Sequence, residues 1–211
     1  MGRNLEPKCK QCRRVGAKLF LKGERCFGSK CGLIRRNYIP GMHGVKLGRG
    51  LRLTGYGLQL KEKQKAKKLY RILEKQFKNY FIKAINTEGD TGENLYQLLE
   101  SRLDNAIFKS GLLASRDLCR QFVNHGHVLV NGKKVTIPSF QVSVKDKITI
   151  RNKTMAKDFI KTAIESLKSK EVADWLFVEP KDFSITVVDL PSLKKSQPEY
   201  DLKGIIEFYS R

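Results

Sequence analysis

The chain has 211 residues, with 42 Lys or Arg against 21 Asp or Glu, for a formal charge of +21. That length holds one domain or two small ones, and self-repulsion at this charge density calls for a polyanionic partner. No apolar run approaches the roughly 18 residues of a membrane span, and MGRNLEPKCK lacks a secretory core, so neither a membrane nor an export signal is expected.

The excess is uneven. Residues 1–50 carry 13 Lys or Arg against 2 acids and residues 51–87 carry 10 against 2, whereas 154–211 carry 9 against 10. A single polyanion would therefore engage the first 87 residues most deeply and leave the last quarter to face a protein neighbour or the interior. Trp175, Phe177 and Phe208 are the aromatics available to that face.

Residues 1–50 read as a zinc knot with a basic arm. Cys9-x2-Cys12 and Cys26-x4-Cys31 can form two halves of a tetrahedral site, and the loop between them is short enough to let the halves meet. A structural Zn²⁺ is the expected occupant. An iron–sulfur cluster, two disulfides or four free thiols are the alternatives, and His43 ranks below the fourth cysteine as a ligand. With so little apolar content nearby, the metal would supply much of the folding energy. The run RRNYIPGMHGVKLGRGLR then sets Arg35, Arg36, Lys46, Arg49 and Arg52 in a segment without periodicity, as suits an arm that orders on an RNA groove or junction.

Residues 51–94 form a basic helical region. From Leu60, an apolar stripe runs through Leu69, Ile72, Leu73, Phe77, Tyr80, Phe81 and Ala84, with lysines covering the rest; the spacing fits one bent helix or two. These aromatics read as core before base-stacking platforms. EGDTGEN marks a boundary before the next helix.

Residues 95–153 give the sharpest local signals. Leu103, Ala106 and Ile107 recur at helical spacing, and after a break at Gly111 to Ala114, so do Leu118, Cys119, Phe122 and Val123. Ser115 is the expected N-cap and Gly126 the left-handed stop. Helix phase places Leu118, Cys119, Phe122 and Val123 inside and turns Arg116, Arg120 and Asn124 to solvent. Asn131-Gly132 between VLV and KKV predicts a type I′ hairpin that brings Lys133 and Lys134 beside Arg116 and Arg120 as a cationic ledge. VSVKDKITI predicts another strand pair around Lys145-Asp146. In residues 154–211, MAKDFIKTAIESLKS reads as a helix, WLFVE and SITVVDLP as strands, and GIIEFYSR as a short strand or turn.

RLDN, SR and the run from Gln121 to Gly132 containing HGHVLVNGK resemble the S4 RNA-binding domain, in the version carried by the S4 family of bacterial small-subunit ribosomal proteins. The four-cysteine pattern resembles the zinc-binding form of that family, PGMHG its basic loop usually written PGQHG, and IIEFYSR its carboxyl terminus. Met42 departs from the loop pattern, while His43 is kept. The resemblance implies RNA contact by Arg116, Arg120, His125, His127, Lys133 and Lys134, and by the arm including His43. It implies 16S rRNA, neighbouring ribosomal proteins and messenger RNA at its point of entrance as partners, a cytoplasmic ribosomal location, early five-prime domain assembly, and an influence on decoding accuracy. No obligate homo-oligomer is expected.

The expected architecture is α+β: a zinc knot and basic helices joined to a small helix-helix-hairpin RNA-binding domain, with a mixed C-terminal segment. An enzyme is disfavoured, since no HExxH, GxSxG, Walker loop or carboxylate pair in a cleft is present and no room remains for a catalytic domain. A free RNA chaperone, or an accessory module of an RNA-modifying enzyme, would explain the RNA-binding domain but not the cysteines and arm.

Overall fold

A computed structural model describes residues 6–44, 53–155, 158–165, 172–179 and 183–210. These fall into two compact units, one of residues up to 92 together with 198 onward, the other of residues 93–197.

In the first unit, α1 (Lys8–Val15) buries Gln11, Cys12 and Val15, one face at helical spacing, and stops at Gly16, whose left-handed φ of 80° lets its N–H bond the Cys12 carbonyl. A short 3₁₀ turn, Gly23–Cys26, and α2 (Gly32–Arg35) follow. The basic region is two helices. Thr54 caps α3 (Gly55–Leu69), its hydroxyl accepting from Gly57 N–H at 3.2 Å, so the helix begins five residues before the expected Leu60. At Arg71 the backbone takes φ 57°, and α4 (Glu74–Ile85) starts afresh. Phe77, Tyr80, Phe81 and Ala84 are buried as the stripe predicts, though Leu73 is exposed.

The second unit follows α5 (Thr91–Glu100) with α6 (Leu103–Lys109) and α7 (Arg116–Asn124). Five antiparallel strands, β1 (Val128–Val130), β2 (Lys133–Val135), β3 (Lys147–Ile150), β4 (Leu176–Glu179) and β5 (Ser184–Val187), lie in the order β2-β1-β3-β5-β4. Asn131 and Gly132 both adopt positive φ, 49° and 77°, as a type I′ turn requires. Short helices α8 (Asn152–Met155) and α9 (Asp158–Glu165) sit between β3 and β4. Leu103, Ile107, Cys119, Val123, Ile148, Ile160 and Ile185 belong to one continuous core.

Three expectations need correction. VSV does not pair as a strand; Val142 is buried, but only KITI joins the sheet, and Lys145 holds the turn with φ 74°. GIIEFYSR is not a strand: Leu202–Tyr209 is a helix, α10, capped by Asp201, whose carboxylate accepts from Lys203 N–H at 3.0 Å. An apolar run of that length is ambiguous between the two states, and here the cap and a receptive face on α3 decide it. Consequently the last helix packs in the first unit instead of continuing the segment 154–211. Trp175 is buried and Phe208 half-buried, leaving Phe177, on the edge strand β4, as the one of those three aromatics that is exposed. Among the described residues no helix is long and apolar enough to cross a membrane.

Candidate nucleic-acid interface

The hairpin delivers exposed charge as expected. Lys133 and Lys134 both face solvent on β2. The turn is braced from behind: Asn131 Nδ2 donates to Asp146 Oδ1 at 2.8 Å, and Lys147 N–H donates to Asn131 Oδ1 at 2.9 Å. That brace ties the turn to its neighbour, so exposed Lys145 and Lys147 join the same end of the sheet. Neither lysine is among the candidates drawn from the sequence, although their alternation with Asp146 across a turn is the available signal. Gly126, at φ 70°, carries the stem of Lys134: a Cβ there would stand 2.2 Å from Lys134 Cε. Glycine at this helix end thus serves both the left-handed stop and the lysine's path.

The α7 face differs from expectation. Ser115 caps the helix, its hydroxyl accepting from Leu118 N–H, but Leu118 is exposed and Arg120 is buried. Arg120 Nη1 lies 3.4 Å from Asp104 Oδ2, and the same carboxylate takes Nε and Nη2 of Arg102 at 3.0 and 2.7 Å. Arg102 is 1% exposed. The Arg of RLDN is therefore a structural cation, and Arg120 shares its acceptor instead of standing on an outer ledge. Helix phase alone could not reveal this, because the burying partner comes from α6. Arg116 is half-buried; its Nε donates to Asn105 Oδ1 at 2.9 Å and its guanidinium lies 4.3 Å from the Phe108 ring centroid. His125 is exposed, with His127 half-buried behind it against Phe122 and bonded through Nδ1 to the Thr154 hydroxyl at 2.9 Å.

In the first unit Arg35, Arg36 and His43 are exposed. Lys46, Arg49 and Arg52 lie outside the described residues. Cys9, Cys12, Cys26 and Cys31 form no disulfide and line one small, mainly apolar cavity, with Cys12, Cys26 and Cys31 buried. Among the described residues, no three His, Cys, Asp or Glu side chains stand close enough to form a metal-holding group. Their surroundings nevertheless suit sulfur anions. Lys22 N–H donates to Cys26 Sγ at 3.3 Å, and a Cβ on Gly32 would come within 2.9 Å of Cys9 Cβ, so only glycine lets that side chain in. Burial, then the other three sulfurs, pushes the Cys12 thiol up. Burial opposes ionisation of Cys31 too, but the Ile34 and Leu33 amides, with Lys18 and Arg25 nearby, bring it below the ordinary thiol value. Cys119 is separate, fully buried in the second unit's core, where burial raises its pKa steeply.

Two family models cover successive parts of the chain. Residues 3–100 match the ribosomal protein S4/S9 N-terminal domain, and residues 101–148 match the S4 domain. Proteins named small ribosomal subunit protein uS4 from Thermotoga maritima and Desulforamulus reducens are 47% identical, and one from Nitrosospira multiformis is 46% identical, each over the whole of both chains.

Proposed function

Because the chain belongs to the uS4 family of small ribosomal subunit proteins, we propose that it binds 16S rRNA directly, nucleates five-prime domain assembly and contributes to translational accuracy. Its role is structural, as an rRNA-binding constituent of the cytoplasmic small ribosomal subunit alongside other ribosomal proteins, and it is not an enzyme. The observation that carries this reading is the end-to-end match with full-length uS4 proteins, since a free chaperone or enzyme accessory module would share the S4 domain alone.

Phosphate contact is assigned to Lys133, Lys134, His125, His127 and Arg116 in the S4 domain, and to Arg35, Arg36, His43, Lys46, Arg49 and Arg52 in the first 52 residues. Arg120 holds the S4 domain together from within. Two separate RNA-reaching surfaces on one chain make the second contact effectively intramolecular, which fixes a junction without chemistry. Recognition by charge and shape suits a surface whose hairpin carries lysines and no stacking aromatics. The exposed Phe177, Val188 and Leu190 suit a protein neighbour, and messenger RNA near its point of entrance is a further partner of this reading.

Cys9, Cys12, Cys26 and Cys31 would hold one structural Zn²⁺. The amide donors around the sulfurs and the shared cavity support that reading, and the ion would tie α1 to the 3₁₀ turn ending at Cys26 and to Cys31 at the start of α2. Metal analysis of the purified protein tests it: one zinc per chain is expected, and a metal-free protein with residues 6–44 folded would end it.

Sucrose-gradient sedimentation at two salt concentrations tests the main reading. The chain should travel with small subunits and survive a moderate salt wash, and deletion of residues 1–50 should release it. Recovery only as free protein, or with large subunits, would overturn it.

A further inference from the structure

In the second unit the end of α6, the residues leading into β4 and the loop after β5 line a pocket of about 230 Å³. Its walls are tied to one another. Ala173 N–H donates to the Lys109 carbonyl at 3.4 Å, Val188 N–H to the Trp175 carbonyl at 3.0 Å, and the Ser192 hydroxyl to Glu93 Oε1 at 3.0 Å. Three donors on these walls are incompletely used. Trp175 is 5% exposed, yet its indole N–H donates to none of the described residues, where a buried indole ordinarily finds an acceptor. Lys109 Nζ stands 3.9 Å from Glu100 Oε2, the outer reach of an ion pair, and that oxygen also takes Asn105 Nδ2 at 3.0 Å. Lys195 Nζ pairs with Asp189 at 3.0 Å, but both side chains are more than half exposed, so little holds the pair.

Charge and size narrow the occupant. Among the described residues Asp174 is the one acid in the lining, which leaves the two lysines with a single uncompensated positive charge. That suits a monoanion better than a run of phosphates. At about 30 Å³ per water the pocket holds roughly eight waters, less than the roughly 300–1,000 Å³ usual for drug-sized ligands, so it takes about one residue. Val172, Ala173 and Leu190 offer that residue an apolar wall. Val188 and Leu190 are exposed, so apolar surface continues past the rim, where a free acid would leave it bare and a polypeptide would lie along it. We infer that the pocket captures the C-terminal residue of a neighbouring polypeptide. Its carboxylate sits between Lys109 and Lys195 and accepts from Trp175 N–H, its small aliphatic side chain packs on Leu190, and its amide N–H donates to Asp174. This rests on the protein-neighbour reading of the exposed apolar residues above and names the part of the neighbour that is recognised.

Trp175 is the chain's single tryptophan, so its intrinsic fluorescence reports on the pocket. The full-length protein is titrated with N-acetylated tetrapeptides ending in alanine, valine or leucine, each as the free acid and as the C-terminal amide. At least one free acid should saturate the signal, and its amide should bind at least about tenfold more weakly, as expected when charge-assisted hydrogen bonds are lost. Lys109→Gln should weaken the free acid about tenfold and leave the amide unchanged. Lys195→Gln, at a more exposed position, should weaken it about threefold. Lys75→Gln, exposed in the first unit, should change nothing. Circular dichroism and an unaltered affinity for 16S rRNA would show that these variants are folded, and the acid–amide comparison needs no variant at all. Equal binding of acid and amide, or no binding by any of the three acids, would overturn the proposal. So would N-acetylvaline binding as tightly as its tetrapeptide, which would assign the pocket to small free acids. Competitive displacement of the peptide by inorganic phosphate or by the rRNA transcript would assign it to phosphate instead. In each of these cases a chain that still sediments with small subunits keeps its ribosomal reading, whereas recovery away from them would strike that reading and leave the peptide result standing.

Discussion

Among the described residues, each compact unit buries two cations, and the two units do so by different means. In the first, Lys63 lies 4.3 Å from the Phe208 ring centroid and 2.6 Å from Glu74, while Arg71 bonds Gln11. In the second, Arg102 and Arg120 share Asp104. The first arrangement joins segments far apart in sequence; the second sets the start of a helix pair from residues within 18 positions of one another. Burial of a cation costs free energy unless it is paired, so each arrangement shows where its unit is most easily broken. The first unit should fail at its long-range ties, the second at one carboxylate.

The largest effect should come from metal. If Zn²⁺ binds as proposed, chelation removes folding energy on the order of 10 kcal/mol from the first unit, and limited proteolysis should then cut within residues 6–44 while 93–155 stays protected. Equal protection of both regions after chelation would erase the contrast. Next is Asp104→Ala, which removes the carboxylate shared by two buried guanidinium groups and should cost about 3–5 kcal/mol in denaturant unfolding. A loss under 1 kcal/mol would mean that Arg102 and Arg120 find other partners with ease.

Glu74 sharpens the comparison from the other side. Burial opposes its ionisation, but hydrogen bonds from Lys63, Tyr209 and Lys67 hold the carboxyl down at about 2, against 4.5 ordinarily. Its folded pKa is depressed, so its contribution is present above pH 4.5 and lost as pH falls toward 2. With the carboxylate 44% exposed, solvent screening limits Glu74→Gln to about 1 kcal/mol at pH 7, and thermal melts should show the difference from the unsubstituted protein vanishing toward pH 2. Smallest in stability is Lys133→Ala, expected within about 0.5 kcal/mol because the side chain is exposed. Its mark should appear instead as a salt slope for RNA binding flattened by about 0.7–0.9.

Signals confined to a few neighbours were legible in the sequence. Ser115 as cap, Gly126 as stop and Asn131-Gly132 as hairpin each need only local backbone chemistry, and each stands as read. The cysteines could be grouped by spacing, and all four line one cavity. Arg120 was misread because helix phase distinguishes sides without saying what covers them; its acceptor is 16 residues earlier on another helix. The C-terminal helix was missed for a related reason. GIIEFY suits strand or helix, and its receiving surface on α3 is more than 130 residues away, with Gln59 donating to Glu207 and Glu62 accepting from Asp201 N–H. Among the cations, those with distant partners are the least readable: nothing near Lys63 in sequence foretells the Phe208 and Tyr209 rings, whose centroids lie 4.3 and 5.3 Å from its Nζ.

The return of residues 198–210 to the first unit also sets an order of events during synthesis. The sheet-bearing unit is encoded without interruption and can condense while the chain is still being made, but the unit holding Cys9, Cys12, Cys26 and Cys31 is completed only by α10, across a loop of more than 100 residues. Until then the Phe77 and Phe81 surface that Tyr209 stacks upon, at ring separations of 6.1 and 4.7 Å, is uncovered. A ribosome stalled before codon 198 would therefore display a chain finished in its middle and unfinished at its beginning, with those two aromatic rings open to chaperones.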